Sequence, residues 1–232
     1  MDFLAEGAAQ ALRLLAGGNR EVWAAVWISV WVAFASTCVA AVVGLPVGYA
    51  VSVGRFRGRR AALVALNALL GVPSVGIGLL VYSFLSRRGP FGSWGMLFTP
   101  AAMVIGQAVL AAPVVAALTR AAFAGLDPRA RQTAVSLGAG PVRVALTAAR
   151  ELGPALTAAV MAAFGRVFGE VGISLMLGGN ILFYTRNITT SIALETAKGE
   201  FALGLALGGI LLVISFAVSL AVHVMRGPEE SR

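Results

Sequence analysis

The chain has little of what catalytic and metal-binding proteins rely on: one cysteine and one histidine among its 232 residues, and a single lysine, Lys198. A lone cysteine, Cys38, excludes an intrachain disulfide, and its apolar neighbours suit a small buried hydrophobe. A lone histidine, His223, near the end of the last apolar run, reads as an interfacial residue and leaves no metal site. Lys198 follows no glycine-rich loop of the phosphate-cradling kind, so the chain has no P-loop with which to hydrolyse ATP. Serines are plentiful, but there is no G-x-S-x-G elbow and no base beside a nucleophile. Neither an enzyme nor a cofactor-binding chain is indicated.

Acidic residues are also scarce, ten against eighteen basic ones, for a net charge of +8. That excess does not point to nucleic acid, because the arginines sit between apolar runs, where cytoplasmic loops of membrane proteins collect them. Residues 1–20 lack an uninterrupted apolar stretch and a clear cleavage site, which argues against a removed signal peptide. Leu4, Ala8, Leu12 and Leu15 share one helical face there, so the expectation is a short amphipathic helix at the lipid interface.

What the chain has is apolar length. Hydrophobic residues make up 59%, and runs longer than about 18 residues recur, more than a soluble core needs. The fold class is all-α polytopic membrane protein, with about five spans: Val22 to Val53, Ala61 to Ser86, Leu97 to Phe123, Pro154 to Leu177 and Phe201 to Met225. They form one transmembrane domain over residues 21–226, followed by a short tail, 227–232. The first span exceeds a hydrocarbon core of about 30 Å and is expected to bend near Gly44-Leu45-Pro46. Five crossings put Arg55, Arg57, Arg59, Arg60, Arg120, Arg129, Arg131, Arg143, Arg150, Arg226 and Arg232 on one side, which the arginine bias makes cytoplasmic, with the N-terminus outside.

Small residues recur at helix-packing spacing in Gly44/Gly48, Gly165/Gly169 and Gly204/Gly208. The stretch Gly71 to Gly78, with three glycines and Pro73, is expected to loosen the second span in mid-membrane. Between the third and fourth spans lies a polar island, Asp127 to Glu151. Pro128 suits a first helical turn capped by Asp127, and Gly138 and Gly140 suit a sharp turn. Val142, Val144 and Leu146 suit a second helix that re-enters the membrane at Pro154. Such a helix, turn and helix would serve as a knob for a partner's cleft; an ordinary cytoplasmic loop would read the same way.

Within the island, Gln132-Thr133-Ala134-Val135-Ser136-Leu137-Gly138-Ala139-Gly140 resembles the Glu-Ala-Ala, three residues, Gly coupling loop of ABC importer permeases. Gln132 stands for the glutamate and Thr133 for the first alanine. A second segment, Phe164 to Ile173, then Met176-Leu177-Gly178-Gly179-Asn180-Ile181, Tyr184-Thr185-Arg186 and Thr189 to Phe201, is similar to permeases of the molybdate, tungstate and sulfate branch, most of all the tungstate type. The resemblance implies a type I ABC importer permease fold in a bacterial or archaeal cytoplasmic (inner) membrane. It also implies a homodimer, two ATPase subunits holding ATP and magnesium, and an extracytoplasmic oxyanion-binding protein. Gln132, Thr133, Ala134, Leu137, Gly138, Ala139 and Gly140 would then couple to the ATPase.

Arg166 and Glu170 stand four apart on one face of the fourth span, where an isolated charge is costly, so they are expected to face the bundle interior. They form either a packing ion pair or the electropositive wall of an anion pathway. The segment Gly178 to Gly199 contains an apolar stretch, Ile188 to Leu194, too short to span, and should fold back on the outer mouth. Gly179, Asn180, Tyr184, Thr185 and Arg186 are the candidates there for contact with a binding protein or anion, a capped connecting loop being the alternative. Without the resemblance, a stand-alone secondary anion transporter or channel, or a structural membrane subunit of an enzyme complex, also fits the spans.

Overall fold

The computed structural model describes residues 17–54, 56–127 and 138–225, with the isolated positions 9, 13, 129 and 136. Most of the proposed interfacial helix at 1–20, the tail at 227–232, and the coupling positions Gln132, Thr133, Ala134 and Leu137 fall outside the described residues.

The first helix, α1 (Arg20–Val53), starts where the Asn19 side chain accepts the amides of Glu21 and Val22, filling two of the donors a helix leaves open. It runs unbroken through Pro46. At its far end Arg59 donates to the carbonyls of Val51 and Ser52, at 3.0 and 3.1 Å, and closes the helix terminus. Gly44 and Gly48 let α1 lie directly on α4 (Pro100–Ala124): a Cβ at Gly44 would come 2.6 Å from Val115 Cβ, and one at Gly48 would collide with the Ala116 carbonyl. Gly165, Gly169 and Gly208 meet nothing within 4 Å. Cys38, in the middle of α1, is exposed on the chain's surface rather than buried, because it turns away from the α4 contact.

Contacts between α1 and α4 run in register. Val32 packs with Met103, Ser36 bonds Gln107, Gly44 faces Val115 and Gly48 faces Thr119. Both numbers climb together, so the two helices are parallel and the chain must recross between them. It does so through α2 (Arg59–Leu70) and α3 (Ser74–Leu85), bent by 104°. The second span is therefore broken rather than loosened: Pro73 brings no amide and disfavours a helical Val72.

After the island come α5 (Pro141–Glu151), α6 (Gly153–Phe168) and α7 (Gly172–Gly178). Gly106 faces Ile173 and Leu177 while Gly178 faces Met103, so α7 runs antiparallel to α4. The fourth span is broken as well, α6 and α7 meeting at 64°. Helix α8 (Ile188–Ala197) packs on α1 and on α9 (Phe201–Met225), Ile188 joining Leu207 and Ile210 of α9 and Val22 and Ala25 of α1 in one apolar cluster. Three helices are long and apolar enough to cross a membrane, and five crossings result if each bent pair is one span. The described residues are helix and loop only.

Candidate functional site

Chemistry-bearing side chains gather in three places: the island, the break in the fourth span, and the loop beyond it. In the island, the Asp127 carboxylate accepts the Arg129 amide at 2.8 Å. Gly138 holds φ +80°, a backbone region that side chains with a Cβ avoid, and Gly140 is extended at the start of α5. Pro141 occupies the first turn of α5, whose missing amide costs nothing there. The helix buries Val144 and Ala148 but leaves Val142 and Leu146, one turn apart, 69% and 55% exposed. Only Leu152 separates it from α6, so α5 and the fourth span are directly joined.

At the break, Arg166 Nη1 lies 3.1 Å from Glu170 Oε2. Glu170 is 5% exposed, whereas the Arg166 side chain is 42% exposed. The other carboxylate oxygen accepts the amides of Gly172 and Ile173, at 2.9 and 3.3 Å, at the start of α7. Glu170 thus fills helix-end donors as well as pairing with arginine. Part of its charge is met by those amides, which leaves the half-exposed guanidinium a source of positive potential.

Around this pair lies a buried polar network absent from the sequence reading. The Ser174 hydroxyl donates to the Glu170 carbonyl at 3.0 Å, and accepts from Gln107 Nε2 at 3.1 Å and Asn187 Nδ2 at 3.0 Å. Gln107 Oε1 accepts from Ser36 of α1. Thr189 donates to the Glu170 carbonyl, and Asn187 forms a reciprocal capping box with Thr190 at the start of α8. The Ile188 amide reaches Ser29 at 2.8 Å. The inward end of α8 is therefore closed by protein groups. The available signal was polar residues inside apolar spans, Gln107 and Ser174 above all, which lipid would not tolerate.

In the loop after α7, Gly179 (φ +70°) and Asn180 (φ +53°) turn the chain, with Phe98 against Gly179. Arg186 clasps Asn180 through its side-chain and backbone oxygens, at 3.2 and 3.4 Å. Thr185, a candidate for surface contact, is instead fully buried: its hydroxyl donates to the Gly178 carbonyl and accepts the Ile181 amide. It braces the loop from within. Tyr184 is exposed beside Ile181, Leu182 and Phe183, and Arg20 lies 5.2 Å over the Phe183 ring.

Residues 40–226 match the family described as binding-protein-dependent transport system inner membrane component. The chain is 38% identical over 226 residues to the tungstate uptake system permease protein TupB of Peptoclostridium acidaminophilum, covering 97% of this chain and 99% of that one. It is 35% identical over 226 residues to the protein of the same name from Campylobacter jejuni, covering 97% and 95%. Among solved structures, a chain of the inward-facing MetNI methionine ABC transporter has the same fold, with a TM-score of 0.73 at 17% identity, over 89% of this chain and 94% of that one. This multi-pass membrane protein therefore belongs to the family of binding-protein-dependent transport system inner membrane components.

Proposed function

We propose that the chain is the membrane-spanning permease subunit of an ATP-driven oxyanion importer, and that it translocates tungstate, with molybdate as the alternative anion. The observation that carries this is the likeness, over nearly the whole length, to tungstate uptake permeases. Two copies would enclose the pathway, each with an ATPase subunit holding ATP and magnesium, and a binding protein would deliver the anion from outside. The island faces the cytoplasm and the N-terminus the outside, a reading supported by the arginine bias.

The mechanism is alternating access. ATP closes the ATPases, the turn around Gly138, Ala139 and Gly140 moves with them, and α5 carries the motion into α6 and the broken fourth span. The exposed Val142 and Leu146 give the island an apolar face for the partner's cleft. Arg166, anchored by Glu170, lends the pathway a weak attraction that does not trap the dianion. Gly179, Asn180, Tyr184 and Arg186 shape the surface that meets the binding protein.

The test is affinity purification of the tagged chain from its native membranes in mild detergent, followed by mass spectrometry and tungstate uptake after reconstitution. A P-loop ATPase at stoichiometric amounts, with ATP-dependent tungstate uptake, is the expected outcome. Uptake that follows an ion gradient with no ATPase bound would replace this reading with a secondary transporter.

A further inference from the structure

We infer that Gln107, Ser174 and Asn187 are positioning residues that turn the break in the fourth span from a free joint into a transmitting one, so that the outer loop and the island move together. The inference rests on the importer reading above. No side chain packs on the glycine of the break: Gly169 lies between α6 and α7, and a Cβ there would meet no atom within 4 Å beyond its own chain neighbours. A joint of that kind would let α7 swing without moving α6.

Side chains remove that freedom. The Glu170 carbonyl, in the break itself, accepts hydroxyls from Ser174 and Thr189, both at 3.0 Å. Ser174 spends its one proton there and fills its acceptor sites with Gln107 and Asn187. All three of these residues are buried, and Gln107 extends the chain to Ser36. Four helices, α1, α4, α7 and α8, are thereby tied at one level. The outer loop hangs between α7 and α8, and both its ends are tied in: Thr185 bonds the Gly178 carbonyl and Asn187 bonds Ser174. On the other side of the break, α6 leads through Leu152 to α5 and the island. Displacement of the loop thus reaches the island through residues 169–171, and the network sets whether it is passed on. Such a network has few alternative arrangements, since each loss strands a buried donor or acceptor.

The experiment uses the whole complex, permease with ATPase and binding protein, reconstituted in lipid nanodiscs. ATPase turnover is measured with and without binding protein loaded with sodium tungstate. Ser174→Ala and Asn187→Asp are expected to keep assembly and unstimulated turnover but to lower the stimulation ratio about five-fold or more. Adding Gln107→Leu to Ser174→Ala should cost less than the two single losses summed, because the Gln107–Ser174 bond is common to both and only the Ser36 bond is lost in addition. Asn187→Asp keeps the oxygen that caps Thr190 and puts a carboxylate oxygen where the donor to Ser174 stood, so its result decides if Ser174→Ala does not assemble. Assembled variants with wild-type stimulation would overturn the inference and leave the importer reading standing. A wild-type complex that ignores the loaded binding protein would overturn both.

Discussion

Two spans of this chain are broken, and they are broken by different means. In the second, α2 and α3 meet at 104° across Gly71 and Pro73, and no side chain caps the start of α3. Backbone chemistry suffices there: proline removes an amide and restricts the residue before it. In the fourth, α6 and α7 meet at 64° without a proline between them, and Glu170 supplies what the backbone lacks by taking two amides of α7 and the Arg166 guanidinium. A break written by proline is local and independent of its surroundings. A break written by a buried carboxylate exists only while its partners stay in place, and can therefore report on them.

Glu170→Ala should separate the two most sharply. It strands two helix-end amides and leaves Arg166 without its partner, which should cost about 3 kcal/mol of stability, held below the full buried-pair penalty because Arg166 is half exposed. Thermal unfolding of the purified complex measures it, and a wild-type melting point would mean the fourth break is as self-sufficient as the second. Glu170→Gln keeps an oxygen for the two amides and gives up only the charge, so a loss of about 1–2 kcal/mol is expected in the same assay. A loss equal to that of the alanine variant would place the whole effect on the ion pair. Pro73→Ala should change stability least, by less than about 1 kcal/mol, since the restored amide can be met by a neighbouring turn. A cost as large as that of Glu170→Ala would show that the second break, too, depends on its tertiary setting.

Legibility followed the same division. The five apolar runs were readable because lipid demands about 20 apolar residues per crossing whatever they pack against. The Gly44 and Gly48 contact with α4 was readable as small residues one turn apart, but the same spacing at Gly165 and Gly169 meets nothing within the chain. Spacing tells that two backbones can approach, not which pair does. The second break was anticipated at its proline as a loosening, short of the 104° turn. The fourth was read as one span, Pro154 to Leu177, with no break anticipated, because glycine permits a break without requiring one. For Thr185 the sequence left partner contact and a capped connecting loop open, because a threonine among loop residues looks the same either way; its burial favours the second.

Composition and order along the chain determined that this is a helical membrane protein, with its polar island between the third and fourth spans and a charged pair on one face of the fourth. Those outcomes depend on residue type and on neighbours within a few positions, through hydropathy, helical period and the conformational limits of proline and glycine. Only the tertiary structure decided that Ser36, Gln107, Ser174 and Asn187 meet. The hydrogen bonds joining Gln107 to Ser36 and to Ser174 span 71 and 67 residues. A hydrogen bond requires its two atoms within about 3 Å, and over such separations that proximity is set by how whole helices pack, not by anything near either residue in sequence.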